Sequence, residues 1–146
     1  MTDSKHVVVA VSGGFDPPTA GHIEYFYKAK KLGDWLIVIL NTDEFLLDKR
    51  KGTKLEGRIR YPLRDRIKII SAFKPVDRVV VSIDKDQTVA ETLRTIKPDI
   101  FANGGDRNES NASQKEIDVC KEIGCKVVYG CGEKISSSFQ YNWEDY

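Results

Sequence analysis

The chain has 146 residues, 40% of them hydrophobic and 31% charged, which is ordinary for a globular protein. This length suits one domain with a substantial core and is too short for two full domains. The net charge of +1 argues against a general nucleic-acid binder, which needs a basic face. No apolar run reaches the ~18 residues of a membrane span, and Val7–Val11 lacks a signal-peptide cleavage site. We therefore expect a single cytoplasmic domain over residues 1–146, without nucleic-acid or membrane partners.

Short β-branched runs alternate with amphipathic segments along the chain. Five runs predict strands, namely Val7–Val11, Trp35–Leu40, Arg78–Val81, Ile100–Ala102 and Lys126–Tyr129. Helical spacing appears between them in Ile23, Phe26 and Tyr27, in Leu63, Ile67 and Ile70, in Val89, Leu93 and Ile96, and in Ile117, Cys120 and Ile123. Alternation of this kind indicates crossover connections, so we predict an α/β fold. The expected architecture is one Rossmann-like domain with a parallel sheet of about five strands and helices on both faces.

Parallel sheets of this type bind ligands outside the carboxyl ends of their strands. The segments that follow the predicted strands are Ser12–His22, Asn41–Glu44, Asn103–Arg107 and Gly130–Ser138. In the first of them, Gly13 and Gly14 allow close approach of a ligand to the backbone, and a helix predicted from about Ala20 offers free N–H groups to an anion. His22 falls in the first turn of that helix. The segment is not a P-loop, because G-x-x-x-x-G-K-[ST] is absent.

The stretch Asp48–Tyr61 is the one long irregular segment, and it carries six lysines or arginines. Two interpretations stay open, a solvated mobile loop or a cationic flap over phosphates. The three cysteines, Cys120, Cys125 and Cys131, lack a C-x2-C pair and a nearby histidine. We therefore predict buried, reduced packing thiols and no metal site formed by protein ligands.

The run from Gly13 to His22, read as G-G-F-D-P-P-T-A-G-H, resembles the G-x-F-D-x-x-H-x-G-H motif of the cytidylyltransferase-like nucleotidyltransferases. It departs from the motif at Thr19, where the family has its first histidine. Three further stretches fall in the family's order. They are Lys51-Gly52, Arg66 early in the following helix, and Lys134-Ile135-Ser136-Ser137-Ser138, which resembles the closing I-S-T-T. Asn103-Gly104-Gly105-Asp106 is similar to a stretch of the heptose-phosphate adenylyltransferases, and glycerol-phosphate cytidylyltransferases share the same framework.

The resemblance implies transfer of a nucleoside monophosphate from ATP or CTP to a phosphorylated small molecule, with a sugar phosphate favoured and pyrophosphate released. It implies catalytic roles for His22, Lys51 and Arg66. The nucleotide- and phosphate-binding residues that it implies are Gly13, Gly14, Phe15, Asp16, Thr19, Gly21, Gly105, Asp106, Ile135, Ser136, Ser137 and Ser138. It also implies magnesium bound with the triphosphate, and a homodimer as one expected assembly.

Several alternatives remain open at this stage. Thr19 is a good helix N-cap, Asp16 could orient its turn without touching a ligand, and Arg66 could belong to a solvated arginine set. Ser137 with Gln140 forms a possible capping box. For the whole chain, the loss of the first histidine suggests a nucleotide-binding module without turnover as an alternative. A dinucleotide-binding domain is disfavoured, because G-x-G-x-x-G is absent.

Overall fold

The computed structural model describes residues 6–105 and 107–132. The strands are β1 (Val8–Gly13), β2 (Trp35–Leu40), β3 (Arg78–Val81), β4 (Ile100–Gly104) and β5 (Lys126–Cys131). The helices are α1 (Ala20–Lys30), α2 (Asp43–Lys49), α3 (Leu63–Ser71), α4 (Ala90–Ile96) and α5 (Gln114–Ile123). The predicted strands are thus confirmed, and three of them extend slightly further at their carboxyl ends.

All strand pairs in the sheet are parallel, and the strand order is β3-β2-β1-β4-β5. The predicted α/β architecture is therefore confirmed. Because β1 lies at the centre, between β2 and β4, the segment that leaves its carboxyl end lies in the middle of the sheet edge. From β1 the chain first adds strands on one side, β2 and β3, and then on the other side, β4 and β5. Such a switch point is where open α/β sheets form their ligand crevice.

Side chains of β1 alternate between two cores, as the period of a strand requires. Val9 and Val11 pack in one core with Phe26 of α1 and Ile70 of α3. Ala10 packs in the other core, whose helical members include Leu93 of α4 and Val119 of α5. The sheet is therefore covered on both faces, as its continuous apolar strands predicted.

Two local features differ from the sequence-based prediction. A further short helix, α2, begins inside the segment after β2, where the Thr42 Oγ1 accepts the Phe45 N–H at 3.1 Å. On α1, Phe26 is fully buried, whereas Ile23 and Tyr27 are 37% and 43% exposed. The predicted apolar face of α1 was therefore wrong in detail, because the helix meets the sheet through Phe26 and Ala29.

The three cysteines are free and buried. Cys131 belongs to the first core, and Cys120 and Cys125 belong to the second. Their positions agree with the predicted packing role. Within residues 6–105 and 107–132, no helix is both long enough and apolar enough to cross a bilayer.

Candidate nucleotide site

A cavity of about 540 Å³ lies at the carboxyl ends of β1, β2, β4 and β5. Its first wall follows β1 and comprises Ser12, Gly13, Gly14, Phe15, Asp16, Gly21, His22 and Tyr25. A second group lies on and before α2, namely Asn41, Phe45, Leu46, Lys49 and Arg50. The remaining lining residues are Gln87, Thr88, Val89, Asn103, Gly104, Gly105, Arg107, Glu116, Cys131 and Gly132. This position at the strand ends is the one expected from the sequence.

Thr19 and His22 form a capping box at the start of α1. The Thr19 Oγ1 accepts the His22 backbone N–H at 3.4 Å, and the His22 Nδ1 accepts the Thr19 backbone N–H at 3.0 Å. Because Nδ1 serves as an acceptor, the neutral imidazole carries its proton on Nε2. The ring that lines the cavity is thereby fixed as an Nε2–H donor.

Phe15 holds the His22 ring from the side. Its backbone has a positive φ of 52°, and its ring contacts the His22 ring edge-on with a centroid distance of 4.8 Å. A second edge-on contact at 5.0 Å joins Phe15 to Phe26 in the core. Gly13 must lack a side chain here, because a Cβ on it would lie 2.6 Å from the Phe15 ring. Gly13 and Phe15 therefore support the orientation of His22.

Asp16 is 1% exposed and joins the turn after β1 to a distant loop. Its Oδ2 accepts bonds from Arg50 Nη1 and from the Arg60 backbone N–H, each at 2.8 Å, and its Oδ1 accepts the Tyr61 N–H. In this arrangement both carboxylate oxygens are used within the protein. Asp16 thus orients its surroundings, which is one of the alternatives that the sequence left open.

The cationic segment between α2 and α3 contains two buried side chains that fix it to the rest of the protein. Leu55 is fully buried and Arg50 is 3% exposed, and Arg50 also donates to the Arg58 carbonyl at 2.8 Å. Arg50 lines the cavity together with Lys49. The Lys51 side chain, by contrast, is 74% exposed, lies 3.4 Å from the Asp48 carboxylate and is not among the residues that line the cavity.

Arg66 is fully buried and lies beneath the cavity without lining it. Its Nη1 donates to the carbonyls of Gly14 at 2.9 Å and Asn41 at 2.8 Å, and its Nε donates to the Tyr61 carbonyl at 3.0 Å. Its Nη2 donates to the Asp43 carboxylate at 2.7 Å. Arg66 is therefore not part of a solvated set, and its guanidinium ties together the loops that follow β1 and β2.

The cavity wall that includes Gln87, Thr88 and Val89 contains one candidate functional residue, Glu116, that was not predicted from the sequence. Glu116 of α5 lines this wall, and its Oε2 accepts the Val89 N–H at 2.9 Å. Burial raises the pKa of Glu116, opposed by the Val89 N–H and by Arg107. In the sequence, Glu116 follows Ser113 by three residues, a spacing typical of an ordinary capping box, so nothing marked it as a cavity residue.

Five of the predicted nucleotide-binding residues fall outside the part of the chain that the structure describes. They are Asp106, Ile135, Ser136, Ser137 and Ser138. Gly105 lines the cavity, as do Gly14 and Gly21. Thr19 is 4% exposed, and its side chain caps α1.

Cys131 also lines the cavity, but its position favours packing over chemistry. Burial raises the pKa of its thiol, so the thiol stays protonated near neutral pH. In the part of the chain that the structure describes, no group of three or more His, Cys, Asp and Glu side chains is placed to hold a metal ion.

Comparison with known proteins gives matches over nearly the whole chain. The cytidylyltransferase-like family matches residues 10–139. The chain is 35% identical to an FAD synthase of Pyrococcus abyssi over 127 residues, which are 87% of this chain and 80% of that protein. It is 38% identical over 121 residues to the bifunctional protein HldE of Streptomyces coelicolor, covering 83% of this chain but 24% of that longer protein.

A solved structure gives the same result for the fold. The lipopolysaccharide core biosynthesis protein of Thermoplasma volcanium matches with a TM-score of 0.70 and 29% identity, over 88% of this chain and 98% of that one. The family match, and the match to 80% of the FAD synthase, agree with the family motif seen between β1 and α1 and with the parallel sheet. This chain belongs to the cytidylyltransferase-like family of nucleotidyltransferases.

Proposed function

We propose that this nucleotidyltransferase moves an adenylyl group from ATP to a phosphate ester on a small polyhydroxylated molecule and releases pyrophosphate. The single observation that carries this proposal is the His22 ring, fixed by the Thr19 N–H as an Nε2–H donor in the wall of the cavity. Free N–H groups at the start of α1 are a further feature suited to phosphate.

The choice of adenylyl over cytidylyl transfer is supported by the FAD synthase relative. FAD is FMN that has received an adenylyl group on its phosphate, and that phosphate sits on a hydroxylated ribityl chain. A sugar phosphate has the same local chemistry, and the resemblance to heptose-phosphate adenylyltransferases favours it. We therefore propose a sugar phosphate as the first acceptor to test and FMN as the second.

The proposed reaction needs no covalent enzyme intermediate. An oxygen of the acceptor phosphate attacks the α-phosphorus of ATP, the bond from the α-phosphorus to the bridging oxygen breaks, and pyrophosphate leaves with the electron pair. The His22 Nε2–H would donate to phosphate oxygens as their charge grows, and Lys49 and Arg50 would add positive potential. We propose positioning roles for Arg66 and Asp16, since both hold the backbone that forms the cavity.

Magnesium remains part of the proposal, carried mainly by the triphosphate and water. Asp16 offers it no open oxygen in this arrangement, because both of its oxygens accept protein hydrogen bonds. The residues therefore suit a metal held by substrate phosphates. Lys51 would join the phosphates only if its side chain turned from Asp48 toward the cavity.

The test is a matrix of ATP and CTP against glucose 1-phosphate, ribose 5-phosphate, FMN and glycerol 3-phosphate, with magnesium. Pyrophosphate release and product mass are both measured. We expect release that depends on ATP and on a sugar phosphate or FMN, with a product heavier by one adenylyl group. Product with CTP only would replace the adenylyl assignment by a cytidylyl one. Nucleotide binding without product in any pair would favour the alternative of a binding module.

A further inference from the structure

Glu116 is an acidic side chain in the wall of a cavity whose other charged lining residues are mostly cationic. The charged groups around it are Arg107, which lowers its pKa, and Asp84 and Asp86, which add to the rise caused by burial. A carboxylate at this position would repel a phosphate, so it does not belong to the phosphate-binding part of the cavity. Its natural ligands are hydroxyl and N–H donors.

The Glu116 side chain does not make the hydrogen bond that its position in α5 would normally give. Glu116 stands at the N3 position of α5, and its backbone N–H is accepted by Ser113 Oγ at 3.3 Å, which is one half of a capping box. In the usual second half, the glutamate would turn back to the N-cap N–H. Here Oε2 crosses instead to the Val89 N–H at 2.9 Å. The carboxylate is thereby held beside the loop Gln87–Val89.

Only one of its oxygens is engaged by the protein. Among the described residues, Oε2 takes the Val89 N–H and Oε1 receives no hydrogen bond. Glu116 is partly buried and lines the cavity, and its unpaired Oε1 is not sealed from solvent, so a ligand donor can reach this oxygen. A purely structural link between α4 and α5 would need only one acceptor atom, which a glutamine supplies equally well.

We propose that Glu116 is a specificity-determining residue of this transferase, whose Oε1 accepts a hydroxyl or N–H donor from the uncharged part of a bound substrate. This inference rests on the proposed function for the identity of the substrates. The donor belongs either to the acceptor molecule or to the nucleoside of ATP. Both sources present the same chemistry, and the experiment separates them.

The experiment measures dissociation constants by calorimetry for MgATP, glucose 1-phosphate, ribose 5-phosphate and FMN. It compares the wild type with Glu116→Gln, Glu116→Ala and Glu122→Gln. Glu116→Gln keeps an oxygen for the Val89 N–H but loses the charge. Glu122→Gln is the matched control, because its exposed carboxylate is on the same helix, pairs with Arg94 and does not line the cavity.

We expect Glu116→Gln to weaken one substrate about tenfold, because a charge-assisted hydrogen bond becomes a neutral one. A loss confined to the acceptor places the donor on the acceptor, and a loss confined to MgATP places it on the nucleoside. In the second case the loss should vanish with the deoxy-ATP that lacks the hydroxyl or, for an N–H donor, with the ATP analogue that lacks the adenine amino group. The Tm of Glu116→Gln should not fall, whereas that of Glu116→Ala should.

Unchanged dissociation constants for every substrate in Glu116→Gln would overturn the proposal and leave Glu116 as a link between helices. This readout does not need turnover. Failure of the proposed function would appear separately, as a wild type that binds substrates but releases no pyrophosphate.

Discussion

The His22 Nδ1 accepts the Thr19 backbone N–H at 3.0 Å, and this bond connects the start of α1 to the wall of the cavity. Thr19 stands where the family motif has a histidine, and it is the backbone N–H of this position that orients the His22 ring. The Thr19 side chain is 4% exposed and engaged with the helix. The threonine side chain therefore supplies a helix cap, while the orientation of His22 rests on a backbone bond that does not depend on the side chain at position 19.

The Thr19 cap should contribute measurably to folding. Thr19→Ala removes the Oγ1 that accepts the His22 N–H, and loss of an N-cap costs about 1 kcal/mol. We expect the Tm to fall by about 2–4 °C in a thermal melt. Thr19→Ser keeps the hydroxyl and should stay close to wild type. An unchanged Tm in Thr19→Ala would show that the cap is not stabilising.

Arg66 should matter more to stability than any exposed arginine of the same helix. Arg66→Met leaves the Asp43 carboxylate and the Gly14, Asn41 and Tyr61 carbonyls without their donor. We expect a loss of about 3–5 kcal/mol in the free energy of unfolding, measured in urea. The control is Arg64→Met, whose side chain is 92% exposed and which should change that free energy by less than about 0.5 kcal/mol. Equal effects of the two variants would refute the positioning role.

Asp16 should couple the cationic segment to the turn after β1. Asp16→Asn removes the negative charge opposite Arg50 and turns one acceptor into a donor that faces N–H groups. We expect a loss of about 3 kcal/mol in the free energy of unfolding, together with weaker nucleotide binding. Asp65→Asn, at a carboxylate with 47% side-chain exposure, is the control. The coupling would be wrong if Asp16→Asn bound ATP as tightly as the wild type.

The raised pKa of Glu116 predicts a pH dependence of stability. A raised carboxyl pKa means that the folded state binds the proton more tightly than the unfolded state does. This contribution is fully present below the unfolded pKa of about 4.3 and is lost as the pH rises through the higher folded pKa. Relative to Glu116→Gln, the wild type should therefore lose Tm as the pH is raised from about 4. A constant Tm difference between the two proteins across that range would contradict the shift.

Much of this fold follows from the sequence because parallel strands are buried on both faces and alternate with helices. Val7–Val11 and Trp35–Leu40 are continuous apolar runs of this kind. The short helix α2 was missed, since seven residues carry little periodic signal and its cap, Thr42, resembles any loop threonine. The apolar face of α1 was misassigned because Ile23 and Tyr27 fit the helical period as well as Phe26 does.

The site was predictable where contiguous residues form it and less so where distant segments meet. His22 and the two glycines before Phe15 were found from one short motif, and they line the cavity. Nothing in the sequence indicates that the Arg66 guanidinium donates to carbonyls more than twenty residues away along the chain. Glu116 was missed because only tertiary packing brings its carboxylate to the Val89 N–H.

The most direct test of the account is acceptor-dependent pyrophosphate release by wild type, His22→Gln and His22→Ala. Glutamine is the ordinary N3 residue of a capping box, so His22→Gln should keep the wild-type Tm. It also retains an amide N–H donor, whereas His22→Ala removes every side-chain donor at this position. The loss of one such donor to a transition state costs about 10²–10³ in kcat. The account predicts that loss in His22→Ala and a smaller one in His22→Gln, with the fold of His22→Gln intact. Wild-type turnover in His22→Ala would contradict it, since His22 would then serve only as a helix cap.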